Sequence, residues 1–174
     1  MQNTRRLVLD AMLVALYVVF ATVFSFETPL FKVSLTSLPI LLSACLFGIK
    51  DTVAVAFLGS FIDQLLYGLG GTTPLWIAPV VLFAIVASLA FWLVKQNNWL
   101  PFFLLAIIFS EFVLTAGNSI AIYIDNYLKG NVTEVATIFT TTRIINWGAR
   151  TAISCILVPL LLPPLRALVG RTKY

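Results

Sequence analysis

Histidine is absent from this 174-residue sequence. Its absence excludes histidine-dependent metal sites, a His-based catalytic dyad or triad, and the usual imidazole pH switch. Cysteine is almost as scarce. Cys45 and Cys155 each fall inside an apolar run, without the close companions that a disulfide or a zinc site needs. No glycine directly precedes a lysine, so there is no P-loop to cradle nucleotide phosphates, and the chain has no ATP engine of its own. Charge is sparse too: 10% of residues are charged, against roughly 25% in a soluble domain. That shortage leaves too little polar surface for a water-soluble globule.

What fills the gap is apolar: 60% of the residues are hydrophobic and the mean hydropathy is +1.02. At about 20 residues per crossing of a ~30 Å hydrocarbon slab, the length accommodates six helical spans and little else. The expectation is an all-α polytopic membrane protein, one six-helix domain over residues 1–174 with both termini on one side. No separate catalytic domain fits. The net charge of +4 does not point to nucleic acid, because the basic residues cluster at the ends of apolar runs rather than along a stripe.

Six runs can be read. They extend from Leu7 to Phe26, Val33 to Ile49, Thr52 to Tyr67, Leu75 to Val94, Leu100 to Ile124 and Thr141 to Val169. The third ends in GLGGTTP, which a helix does not continue through comfortably. The sixth contains Pro159, Pro163 and Pro164, which predict a kink or break in its last turns. With the termini inside, Arg5, Arg6, Lys50, Lys95, Arg166, Arg171 and Lys173 lie inside, against Lys32, Lys129 and Arg143 at the outer face. The positive-inside rule therefore puts both termini in the cytoplasm. The outer face then carries the longest loop, Asp125 to Thr140, and the Gly/Thr/Pro loop Gly68 to Pro74. No repeat at a fixed period supports an inverted-repeat carrier.

Ionisable residues within a span are costly and therefore informative. Asp63, Glu111 and Arg150 lie mid-span. Their estimated depths let Arg150 reach either carboxylate, so a buried Glu111–Arg150 or Asp63–Arg150 ion pair is expected. In the sixth run Arg143, Trp147, Arg150 and Ser154 recur at helical spacing, with Asn146 beside them. In the fifth, Glu111, Thr115 and Asn118 make a matching stripe. Asn118 and Trp147 fall at similar depth, about 27 Å from the inner face. Two facing stripes of amide, indole and guanidinium predict either a pocket for a small polar molecule or a hydrogen-bonded helix pair.

Lys32 and Arg143 would flank the outer mouth as a cationic rim that favours a carboxylate, or would snorkel to water. Trp76 either covers the ligand or stands in the aromatic belt with Trp99. In the first run Ala11 and Ala15 are four apart, a small-residue spacing that lets a second helix approach closely. That face either docks another membrane protein or packs within the bundle. Gly148 and Ala152 share the spacing and read as internal packing.

With these residues in place, the chain resembles the substrate-binding S component of an energy-coupling factor (ECF) vitamin importer. The likeness runs over essentially its whole length and points to the folate/pantothenate-like branch. Ala11 and Ala15 are similar to the alanine motif by which first helices of S components dock on the coupling subunit. The segment TPLFKVSLTSLPILL resembles the family's first outer loop and second-helix start, with Lys32, Ser34 and Pro39 at matching places. Asp63, Glu111, Asn118 and Arg143 match polar positions of the third, fifth and sixth helices. The stretch YGLGGTTPLWIAP looks closer to pantothenate-type members than to folate-type ones, and brings Tyr67, Thr73 and Trp76 into the substrate-facing set.

The resemblance implies a non-enzymatic subunit without a cofactor, in the plasma membrane of a prokaryote. It would capture a water-soluble B vitamin at the outer face, and then topple while docked on a transmembrane coupling subunit of the EcfT type. Two cytoplasmic ATPases would supply the power. Pantothenate ranks first as the vitamin, folate second, and the neutral hydroxymethylpyrimidine or pyridoxine third. Two other classes compete: a self-sufficient secondary carrier or channel, and an intramembrane enzyme. The second is disfavoured by the missing histidine and the lack of a carboxylate pair at helical spacing.

Overall fold

The computed structural model describes residues 2–27, 32–95, 100–130 and 141–170. Six helices and one small hairpin make up the described chain. These are α1 (Gln2–Thr22), β1 (Ser25–Glu27), β2 (Lys32–Ser34), α2 (Ser37–Leu46), α3 (Ile49–Tyr67), α4 (Thr73–Lys95), α5 (Leu100–Leu128) and α6 (Thr141–Gly170). Three helices are long and apolar enough to cross a membrane by length and composition: α4, α5 and α6. Their outward faces carry large apolar side chains such as Trp92, Phe109, Ile156 and Leu160, the surface a bilayer covers.

Helix α2 departs from the expected span. Only ten residues are helical, about 15 Å of rise against a ~30 Å slab. The run begins instead as β2, with Val33 paired to Phe26 and Lys32 to Glu27 in an antiparallel hairpin. The apolar run from Val33 thus divides between an extended strand and a half-length helix. Pro39 sits in the first turn of that helix, where its missing N–H costs nothing. From Ser37 to Ala44 every residue of α2 is buried, because α1, α3, α4 and α6 all touch it. A half-helix survives in the membrane because it is enclosed by protein rather than lipid.

Gly48, with φ 103°, turns α2 directly into α3. Lys50 and Asp51 therefore join the first turn of α3 instead of a loop. At this end Arg6 of α1 hydrogen-bonds Asp51 through Nε at 2.7 Å and donates from Nη2 to the Phe47 carbonyl at 3.3 Å, tying three helices together. Two glycines mark close helix crossings. A Cβ on Gly59 would lie 2.7 Å from the ring of Tyr17, and one on Gly117 would lie 2.9 Å from Cβ of Pro79.

Two further boundaries differ from the sequence reading. Helix α5 runs past Ile124 to Leu128, helped by the 2.7 Å ion pair of Asp125 with Lys129 one turn on. Helix α6 is unbroken through Pro159, Pro163 and Pro164. Each proline removes a single donor, and the remaining bonds of the turn hold. Trp99 and the loop residues 131–140 lie outside the described residues.

Candidate substrate site

The site is built where α5 and α6 run antiparallel. Arg150 donates from Nη2 to Glu111 Oε2 at 2.9 Å and to Thr115 Oγ1 at 3.1 Å. Ser154 donates to the other carboxylate oxygen of Glu111, also at 2.9 Å. Glu111 is wholly buried and Arg150 is 7% exposed. Both oxygens of the carboxylate are thus occupied, which is what a charge in a low-dielectric interior requires. Continued toward the C-terminal end of α5, the pairing of 111 with 154 and 115 with 150 sets Asn118 level with Trp147. Both are half-buried. The Trp147 ring also meets Phe112 edge-on at 6.3 Å. Arg143 stands one turn beyond, half-buried, with the like charge of Arg150 as a neighbour. Among the described residues no carboxylate pairs with Arg143.

A second group enters from α1. The Tyr17 side chain is buried at its crossing with Gly59. Thr36, Asp63 and Arg150 are the polar groups around it. Asp63 is half-buried one turn after Gly59 on α3. Thr36 shares a 3.1 Å hydrogen bond with Ser34 at the end of the hairpin, and β2 touches α6. Tyr17 was missed in the sequence because it lies in an apolar run, and Thr36 and Thr151 because a small hydroxyl beside Ser37 or Arg150 carries no signal of its own. The available signal was a tyrosine hydroxyl in mid-span, which has to find a polar partner.

The remaining residues divide. Trp76 is half-buried in the first turn of α4, one turn from the Pro79 that packs on Gly117, and so lies near the level of Asn118. Thr73 is buried, but its hydroxyl accepts the Gly70 N–H at 2.9 Å and closes the glycine turn. Tyr67 is exposed at the end of α3. The backbone of Lys32 forms part of β2, while its side chain lies outside the described residues. A separate concavity of about 760 Å³ opens between α3 and α4, lined by apolar groups such as Phe57, Phe61, Ile77 and Leu82. Thr73 faces that groove. No three potential metal ligands gather among the described residues.

Ala11 and Ala15 both lie on the outward face of α1, with Leu7, Val8, Met12 and Val19. Packing within the bundle does not occupy them. Gly148 and Ala152 are also exposed, contrary to the internal packing expected for that pair.

Comparison with known proteins places this geometry in context. Residues 5–162 match the family described as ECF transporter, substrate-specific component. The fold is similar to a solved structure described as "Structure and mechanism of the S component of a bacterial ECF transporter". The TM-score is 0.67 at 19% identity, over 96% of this chain and 98% of that one. No curated protein gives a significant sequence match.

Proposed function

Because the chain belongs to the substrate-specific components of ECF transporters, a family of non-catalytic membrane subunits, we propose that it is the capture subunit for an anionic B vitamin, with pantothenate favoured. The observation that carries this reading is Arg143: a half-buried cation one turn outside Trp147, with no carboxylate partner among the described residues. A ligand carboxylate completes such a group by charge-assisted hydrogen bonds. Asn118, Trp147 and Trp76 supply amide and aromatic walls at the same level, and Lys32 in the hairpin adds to the rim. Tyr67 and Thr73 remain in the substrate-facing set as the last residue of α3 and the first of α4, on either side of the glycine loop.

The termini are assigned to the cytoplasm on the charge distribution, which sets the polar stripe toward the outside. Docking on the transmembrane coupling subunit falls to α1. Its exposed Ala11 and Ala15 let a partner helix approach to backbone distance, and the two cytoplasmic ATPases act through that partner. Toppling of the docked subunit then delivers the ligand to the inner side.

The test is equilibrium binding of labelled pantothenate, folate and pyridoxine to the purified chain in nanodiscs, followed by transport in vesicles. The expected result is pantothenate binding by the chain alone and uptake only with the coupling subunit, ATPases and ATP. Preference for folate or a neutral ring would displace pantothenate. Accumulation driven by an ion gradient in vesicles holding only this chain would favour a secondary carrier.

A further inference from the structure

On helix α6, Trp147, Arg150 and Thr151 each hold a buried polar atom that no other described residue satisfies. Trp147 Nε1, Arg150 Nε and Thr151 Oγ1 are sealed from solvent and have no hydrogen-bond partner among the described residues. Arg150 and Thr151 are more than nine-tenths buried. On a helix, positions 147, 150 and 151 fall within an arc of about 100°, the same arc that holds Arg143 and Ser154. Buried donors are nearly always paired in native structures, because an unpaired one forfeits its hydration and receives nothing in return. Three on one face within two turns form a pattern rather than an accident of packing.

Their electrostatic setting distinguishes them from Arg143. The charge of Arg150 is already met by Glu111 through Nη2, so its Nε offers a directed hydrogen with little net field behind it. Arg143, two turns outward, has no such partner among the described residues. The helical rise between the two arginines is about 10 Å.

Resting on the capture function proposed above, we infer that Trp147, Arg150 and Thr151 read the inward end of the substrate, and that this end is uncharged and rich in hydrogen-bond acceptors. The substrate lies along α6 with its anionic group outward on Arg143. Its hydroxyl or carbonyl oxygens point inward and accept from Trp147 Nε1 and Arg150 Nε, while Thr151 bonds beside them. An extended hydroxy-acid of pantothenate type has this polarity.

The test compares pantothenate with pantothenol, in which the carboxylate is replaced by a hydroxymethyl group. Both are titrated into the chain in nanodiscs, and the unfolding midpoint of the empty protein is measured in parallel. Trp147→Phe and Thr151→Val keep shape and remove the hydrogen-bonding group. Each is expected to weaken both ligands alike, by roughly 3- to 10-fold, the range of one lost hydrogen bond. Each should leave the empty midpoint unchanged or raised. Arg143→Gln should weaken pantothenate by tenfold or more and leave pantothenol unaffected.

Unchanged affinity in the α6 variants overturns the inference. So does a lowered midpoint, which means an ordered water or packing role only, and so does equal loss of both ligands in Arg143→Gln. If the unaltered chain binds neither compound, the pantothenate reading falls by itself. The unfolding measurement still decides this one, a lowered midpoint against it and an unchanged or raised one for it.

Discussion

Arg150 of α6 and Glu111 of α5 meet at 2.9 Å across 39 residues of sequence, both buried. Neither charge has water to fall back on. The pair therefore fixes the azimuth of α6 on α5 as well as their register. Removing one member strands the other in a medium that cannot solvate it.

Glu111→Gln or Arg150→Met is accordingly expected to cost about 3–5 kcal/mol, since an uncompensated charge stays buried. The double replacement should recover most of that loss. Unfolding of the purified variants in one detergent checks it; additive losses in the double variant would dissolve the pairing argument.

Gly59→Ala places a methyl group 2.7 Å from the Tyr17 ring. Overpacking of this kind costs about 1–3 kcal/mol. Tyr17→Leu in the same chain should relieve part of it, because the ring is what the methyl meets. The readout is again the unfolding midpoint, singly and combined.

The Arg6–Asp51 contact gives the opposite expectation. Arg6 is about half exposed, and ion pairs near water contribute only about 0–1 kcal/mol. Arg6→Ala should change stability by no more than that, with an effect that shrinks as salt rises. A loss as large as that of Glu111→Gln would mean that the tie among α1, α2 and α3 is cooperative.

Ala11→Trp or Ala15→Trp should leave vitamin binding by the isolated chain intact. Assembly with the coupling subunit and transport should be lost, because indole on the outward face of α1 holds a partner helix away. Co-purification and uptake measured side by side test this. Loss of binding together with normal assembly would remove α1 from the docking role.

Asn118→Ala is expected to weaken binding by about 10-fold with less than 1 kcal/mol of change in stability, as its half-buried amide serves the ligand more than the bundle. Isothermal titration beside an unfolding scan separates the two effects.

Some of this was readable along the chain. The runs that became α4, α5 and α6 announce themselves by length and hydropathy, and the polar positions 111, 115, 118 and 143, 147, 150, 154 align by helical spacing alone. The run from Val33 was misleading because hydrophobicity does not distinguish a strand, a buried half-helix and a span. Antiparallel pairing of Val33 with Phe26 and enclosure by four helices settled that. Thr73 has the right chemistry for a ligand, and only the structure shows that its oxygen also accepts the Gly70 N–H.

Composition and periodicity were enough to establish the medium, the number of helices and the spacing of the polar groups along each helix, because hydropathy and a 1.5 Å rise are properties of the chain itself. They could not say which neighbour a group faces. Arg150 had two carboxylates within reach by height, and the fold gave it Glu111. Tyr17 looked like one more apolar residue until the crossing at Gly59 brought it to Thr36 and within reach of the charges of Asp63 and Arg150. Rotation about the helix axis and the order of helices around the bundle come from close packing at such crossings, and packing is a relation between segments that no single segment carries.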